Sequence, residues 1–202
     1  MIDEGYIKYQ CYWQEIEAVA IEEIIELNHW RDRLYKLGLI GEYDNGIGFG
    51  NLSIRIPNSE QLIISGTQTG GIPHLNAKHY TKVTDYSWQK NYVTCQGLTK
   101  ASSETLTHAA IYQALPQINA VIHIHHELLW SRLLDRFPTT EPNCAYGTPE
   151  MAGEIIRLCQ QPQTQEQRII AMSGHESGIL TFGLDLDRAG EVLLKHFANI
   201  LD

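Results

Sequence analysis

The chain is short of basic residues: 15 lysines and arginines face 24 aspartates and glutamates, a formal net charge of −9 at pH 7 with histidine neutral. That imbalance repels nucleic acid and anionic membranes, so neither is expected as a partner, and an anionic ligand must be held by local dipoles or a metal against the overall field. Long hydrophobic runs are missing too. No stretch reaches the roughly 18 uninterrupted apolar residues of a membrane helix. The opening MIDEGYIKYQ carries early acids where a secretory leader has a basic and then apolar order, so a cytoplasmic location is expected. Cysteine is sparse: Cys11, Cys95, Cys144 and Cys159 are widely spaced with no CxxC pair, which argues for reduced thiols in a chain that does not depend on disulfides. Heptads, low-complexity tracts and repeats do not occur. With 43% hydrophobic and 19% charged residues over 202 positions, the chain can bury a sizeable core, and a single domain over residues 1–202 is expected.

Periodicity divides the chain into helices and strands. Residues 13–37 carry Trp13, Ile16, Val19, Ile24, Leu27, Trp30 and Leu34 at steps of three and four, which predicts one long amphipathic helix. A glycine-rich loop, EYDNGIGFGN, follows. LSIRI and QLIIS flank Pro57-Asn58 as a hairpin, and short strands are expected near Lys82–Trp88 and Tyr92–Cys95. Ser102 reads as the N-cap of a helix through ETLTHAAIYQAL. Then come a strand, NAVIHIH, a helix over ELLWSRLLDRF, and a helix from Thr148 and Pro149 to 160. A strand pair at 168–172 and 178–182 precedes a closing helix from Asp185 to Ile200. Helices before and after groups of strands make an α/β domain, layered around a central, mainly antiparallel sheet.

The sharpest local signal is His123-Ile124-His125. Strand side chains alternate, so the two imidazoles share one face while Ile124 enters the other layer. They form either half of a metal site or a hydrogen-bonded pair beside a loop. His126 faces away and begins the next helix. A third ligand is best sought at His175, in the glycine-flanked turn SGHESG, because it ends a strand; His29, His74, His79, His108 and His196 compete with it. Ser102, Ser103 and Glu104 open a helix, where free N–H groups and the dipole favour an anion, although a plain N-cap explains them as well. Asn51, Ser65 and Gly66 are further groups on glycine-permissive loops. Each is explicable as turn chemistry; together they would make a cradle of neutral donors suited to phosphate.

The succession GFGNLSIRI, IISGTQTG, ASSETLTHAAIY, AVIHIHH and MSGHESGILTFGLDLDRAGEVL resembles the class II aldolase/adducin family from about residue 13 onward, and most of all its zinc-dependent sugar-phosphate aldolases. The resemblance implies a three-layer αβα domain and a homotetramer with active sites at subunit interfaces. It implies Zn2+ on His123, His125 and His175, with Glu104 capping the metal at rest and shuttling the proton in turnover. Asn51, Ser65, Gly66, Ser102 and Ser103 match phosphate-binding positions. The implied activity is lyase cleavage of a small phosphorylated carbohydrate by a retro-aldol step through a metal-bound enediolate. Related branches dehydrate methylthioribulose 1-phosphate or epimerise a sugar phosphate at C4, and an adducin-like branch is a non-catalytic interaction module that lacks the full metal set. Two departures stand out. Asn143 occupies the position of an aldolase tyrosine ahead of Tyr146-Gly147-Thr148, and SGTQTG and ASSET stand where the dehydratases usually show a lysine after the SG turn and a PSAET helix start.

Overall fold

A computed structural model describes residues 5–200; residues 1–4, which open the stretch read for a leader, and residues 201–202 lie outside it. The long N-terminal helix does not form as one piece. Gln10–Gln14 is a strand (β1), a 3-10 turn occupies Ile21–Ile24, and α1 runs only over Ile25–Lys36. Trp13 and Ile16 fit a helical spacing, but Cys11 and Trp13 alternate inward along a strand, and Trp13 Nε1 donates to the Gly97 carbonyl at 3.0 Å. Aromatic residues on a half-buried pleat override the helical pattern there.

Inside the glycine-rich loop, Gly41–Glu42 (β2) and Gly48–Phe49 (β3) pair as a small ribbon. The main sheet continues through β4 (Asn51–Arg55), β5 (Leu62–Ser65), β6 (Tyr80–Ser87), β7 (Tyr92–Gln96), β8 (Ala120–His125), β9 (Ile169–Ala171) and β10 (Gly178–Gly183). Its eight strands lie in the order β1-β7-β6-β5-β4-β8-β10-β9. Only the β1–β7 pair is parallel. Helices cover both faces. On one, α2 (Thr105–Ala114) and α4 (Pro149–Cys159) pack Leu106, Ile111 and Ile155 with Ile64, Val121 and Leu180 of the sheet. On the other, α1 and α6 (Leu186–Ala198) pack Leu27, Leu34 and Leu193 with Leu52, Ile122 and Ile179. Two shorter helices complete the set. α3 covers Glu127–Leu133, and α5, Pro162–Gln167, is a polar turn with no apolar stripe to announce it.

The helix boundaries follow from their caps. The Asp185 carboxylate accepts from Arg188 N at the start of α6, Thr148 Oγ1 accepts from Met151 N ahead of Pro149, and His126 Nδ1 accepts from Leu129 N as the N-cap of α3. No helix among the described residues is long and apolar enough to cross a membrane.

The α1–α6 contact depends on one glycine. A Cβ at Gly190 would lie 2.1 Å from the ring of Trp30, whose Nε1 donates to Asp187 Oδ1 at 2.8 Å on the same helix. Alanine is favoured over glycine by ~1 kcal/mol in a helix interior. The overlap outweighs that gain, because the buried indole has a hydrogen bond to lose if it shifts. Gly190→Ala is therefore expected to lower unfolding stability by about 1–3 kcal/mol, measured by urea denaturation; unchanged or increased stability would show that the helices separate at no cost.

Candidate active site

Strand β8 is buried along its whole length between β4 and β10, so its backbone is fixed on both sides. Val121 lies in the α2/α4 layer and Ile122 and Ile124 in the α1/α6 layer, as alternation requires. His123 and His125 share the Val121 side. Their ring centroids are 4.8 Å apart, and their Nε2 atoms approach to 3.0 Å. His123 Nδ1 donates to the Ile179 carbonyl on β10 at 3.2 Å, and a carbonyl can only accept. The hydrogen of that ring is thereby placed on Nδ1, and the Nε2 lone pair faces His125.

His175 completes the group from the turn between β9 and β10, with ring centroids 5.1 Å from His123 and 4.6 Å from His125. The turn is closed by His175 N donating to Met172 O and Gly178 N donating to His175 O, and Ser173 N donates to Thr140 Oγ1 at 2.9 Å. Gly174 is required by close approach: a Cβ there would fall 1.9 Å from the Cys144 carbonyl oxygen. Tyr146 stacks on the His175 ring at 4.7 Å, and Lys8 Nζ lies 3.8 Å from the centroid of Tyr146.

One ligand atom from each of the three histidines falls within 4.8 Å of the other two. Burial pushes His123 and His125 well below the ordinary histidine range, with the neighbouring imidazoles adding to the effect. Burial followed by the Lys8 charge takes His175 down to about 3. All three rings are therefore neutral at pH 7, the form that donates to a cation. Two nitrogens bound to one tetrahedral zinc ion at ~2.0–2.1 Å stand about 3.3–3.4 Å apart, close to the 3.0 Å between His125 Nε2 and His123 Nε2. The donor set fits a divalent first-row cation. Glu104 is nearby, buried, with Oε1 3.5 Å from His175 Nδ1.

The candidate anion groups converge by topology. Asn51 is paired with His123 across β4–β8. Gly66, just past β5, is bridged to Ala101, which precedes Ser102. Two hydroxyls are engaged within the protein: Ser65 Oγ accepts from Leu52 N at 3.3 Å, and Ser102 Oγ accepts from Glu104 N at 3.3 Å. Helix α2 starts later than expected. Thr105 is its first residue and Glu104 the flanking one, because Thr105 N and Oγ1 both donate to the Ser102 carbonyl and tighten the chain into a turn first.

The competing histidines go elsewhere; among the described residues none of them belongs to the cluster. His74 meets Asp32 at 3.0 Å, His79 accepts from Asn76 N, and His108 is buried with Nδ1 2.7 Å from Ser53 Oγ. Sequence reasoning missed three supporting residues. Tyr43, in the loop between β2 and β3, places its hydroxyl 2.7 Å from His125 Nδ1, and its ring centroid is 4.6 Å from that of Phe49. The Tyr9 hydroxyl lies 3.0 and 2.9 Å from the Ala101 and Ser102 carbonyls. Arg31, buried on α1, donates to the carbonyls of Thr69, Gly70 and Pro73 and so holds the loop that follows Gly66. The only signals were an aromatic in a glycine-rich run and an arginine on an apolar helix face.

Residues 41–195 match the family model described as Class II Aldolase and Adducin N-terminal domain. Among curated proteins, a methylthioribulose-1-phosphate dehydratase of Leptospira interrogans (serogroup Icterohaemorrhagiae, serovar copenhageni, strain Fiocruz L1-130) is 33% identical over 106 residues. That match covers 47% of this chain and 41% of the relative, so it spans less than half of either. Among solved structures, L-fuculose 1-phosphate aldolase superposes with a TM-score of 0.67 at 20% identity, covering 90% of this chain and 84% of the other. A sugar-phosphate aldolase from Thermotoga maritima gives 0.63 at 16% identity, with 89% and 93% covered. At these identities the structural likeness shows a shared fold.

Proposed function

Because the chain belongs to the class II aldolase and adducin family, we propose that it is a zinc-dependent lyase that cleaves a small phosphorylated sugar by a retro-aldol step. The observation that carries this reading is the buried group of three neutral imidazoles beside Glu104, at the turn that opens α2. His123, His125 and His175 would hold the ion. When bound there, a divalent cation supplies Lewis-acid polarisation of a substrate carbonyl. Glu104 carries the proton to and from the reacting carbon; its place at the start of α2 is set by the Ser102 turn. Asn51, Ser65, Gly66, Ser102 and Ser103 bind the phosphate, so that the reacting end of the substrate is held over Glu104. The family's assembly extends the proposal to a homotetramer with sites at subunit interfaces, acting in the cytoplasm.

Water elimination is the second reading. The 33% identity to a dehydratase supports it, as does Asn143 in place of the aldolase tyrosine. A scaffold role without catalysis fits poorly with the full histidine set. Incubating metal-loaded protein with a panel of ketose 1-phosphates, and following aldehyde release and water loss separately, decides among the three. Aldehyde release supports cleavage, water loss alone moves the assignment to the dehydratases, and neither product from any ketose phosphate overturns the lyase.

Phosphate recognition has its own test. On a chain at −9, a dianion must find concentrated donors at a helix start. Ser103→Ala is expected to raise KM for a phosphorylated substrate by about 10- to 150-fold, the ~1.5–3 kcal/mol of one hydrogen bond to a charged group. KM for the unphosphorylated analogue should scarcely move. Equal penalties on both substrates would leave Ser103 a purely structural turn residue.

A further inference from the structure

Two of the four cysteines, 84 residues apart in sequence, come into contact: Cys11 Sγ and Cys95 Sγ are 4.0 Å apart. Both are free thiols, Cys95 buried and Cys11 partly open to solvent. The parallel register sets Cys11 opposite Val93 and Trp13 opposite Cys95, so the thiols are diagonal neighbours across β1 and β7. Strand β1 is the edge of the sheet, bonded on one side only.

This pair is connected to the turn that opens α2. Tyr9, two residues before Cys11, donates its hydroxyl between the Ala101 and Ser102 carbonyls. Ala101 in turn bridges Gly66. The two sulfurs share one hydrogen bond, in which either can donate; that bond lowers the Cys95 thiol from its ordinary range, burial opposes this, and the Ala101 N–H, the Thr81 hydroxyl and the Lys100 charge assist it. The same bond, together with burial, pushes the Cys11 thiol up.

We propose that Cys11 and Cys95 form a reversible thiol–disulfide site that takes a low-molecular-weight disulfide as its oxidant, and that oxidation of the pair weakens anion binding at the Ala101–Ser103 turn. The Cys11 sulfur attacks one sulfur of the oxidant, whose S–S bond breaks; the Cys11 proton goes to the other half, which leaves as a thiol, while Cys95 keeps its own proton for the second step. The Cys95 sulfur then attacks Cys11 Sγ, the protein disulfide forms, and the second small thiol departs with the remaining proton. Two protein thiols are oxidised and one small disulfide is reduced to two thiols, with no other reactant. The sulfurs must close by about 2 Å to bonding distance, a movement the edge strand can make and the doubly bonded β7 cannot. Such a movement draws Tyr9, the residue just before β1, with it and disturbs its hold on the two carbonyls.

The second half of the proposal rests on the proposed anion site; the first half does not. The full-length, metal-loaded protein is incubated with oxidised glutathione, blocked with N-ethylmaleimide and peptide-mapped without reduction, and inorganic phosphate is titrated calorimetrically before and after. The expected result is a Cys11–Cys95 linkage that dithiothreitol reverses and that neither Cys11→Ser nor Cys95→Ala forms. Phosphate Kd should rise about tenfold, equivalent to ~1.4 kcal/mol, in the oxidised wild type and not in Cys11→Ser treated in the same way. Alkylation of both thiols after oxidant, or a lasting glutathione adduct on Cys11 alone, overturns the pair. A disulfide with unchanged or tighter phosphate binding overturns the coupling. Reduced protein that binds no phosphate overturns the anion site itself, while the peptide map still decides the thiol pair.

Discussion

His125→Ala should yield a folded protein that has lost its metal, with lyase turnover lower by at least about 10³-fold. Changing a residue that only hydrogen-bonds to a metal ligand typically costs about 10–100-fold in affinity or activity, and His125 is proposed as a ligand itself. The fold should survive because β8 is held by backbone pairing to β4 and β10, and its other layer, Ile122 and Ile124, is untouched. The local cost is the hydrogen bond to Tyr43 and some packing against Phe49, about 1–3 kcal/mol in total. Metal content by elemental analysis and far-ultraviolet circular dichroism check the two halves independently. Wild-type metal stoichiometry in a variant lacking His123, His125 and His175 together would end the assignment.

The contrast between β8 and β1 shows what a sequence can disclose. In β8, apolar residues and histidines alternate within a run buried on both sides, so the pattern itself says that His123 and His125 share a face. The starts of α4 and α6 were equally legible, because Thr148, Pro149 and Asp185 are local signals whose partners lie within three residues. Strand β1 has no such locality. Its partner is β7, some 80 residues on, and its aromatics also fit the helical spacing that continues into α1. A parallel edge strand owes its existence to a distant neighbour, which periodicity cannot represent.

The same distinction runs through the site. His175 could be proposed from its glycine-flanked turn, but its approach to His125 depends on how β10 pairs with β8. Tyr43 is 82 residues from the imidazole it meets, in a run of glycines that reads as loop. The α2 start was placed early because Ser102 has the residue type of an N-cap; its hydroxyl does accept a backbone N–H, that of Glu104, but within a turn ahead of the helix.

That turn bears on the remaining prediction. Glu104→Gln is expected to keep metal and phosphate binding and to lose turnover by about 10²–10⁴-fold, the usual contribution of a positioned general acid–base group. The amide preserves the size of the side chain and one acceptor oxygen, so the Ser102 turn, whose bond uses the Glu104 backbone N–H, has no reason to move. Three imidazoles remain for the ion, and the phosphate donors are unaltered. What the amide cannot do is accept and return a proton. Two measurements separate this from a structural defect: metal per chain and phosphate Kd should match wild type while kcat falls, and exchange with deuterated solvent of the C–H formed on the ketone product of cleavage should fall with it. If exchange and turnover both remain at wild-type rates, Glu104 is a helix-start acid beside the metal and another group moves the proton. If metal is lost along with turnover, Glu104 is needed as a fourth ligand, and its role as a shuttle must then be tested with Glu104→Asp, which keeps a carboxylate but withdraws it by one methylene from the reacting carbon.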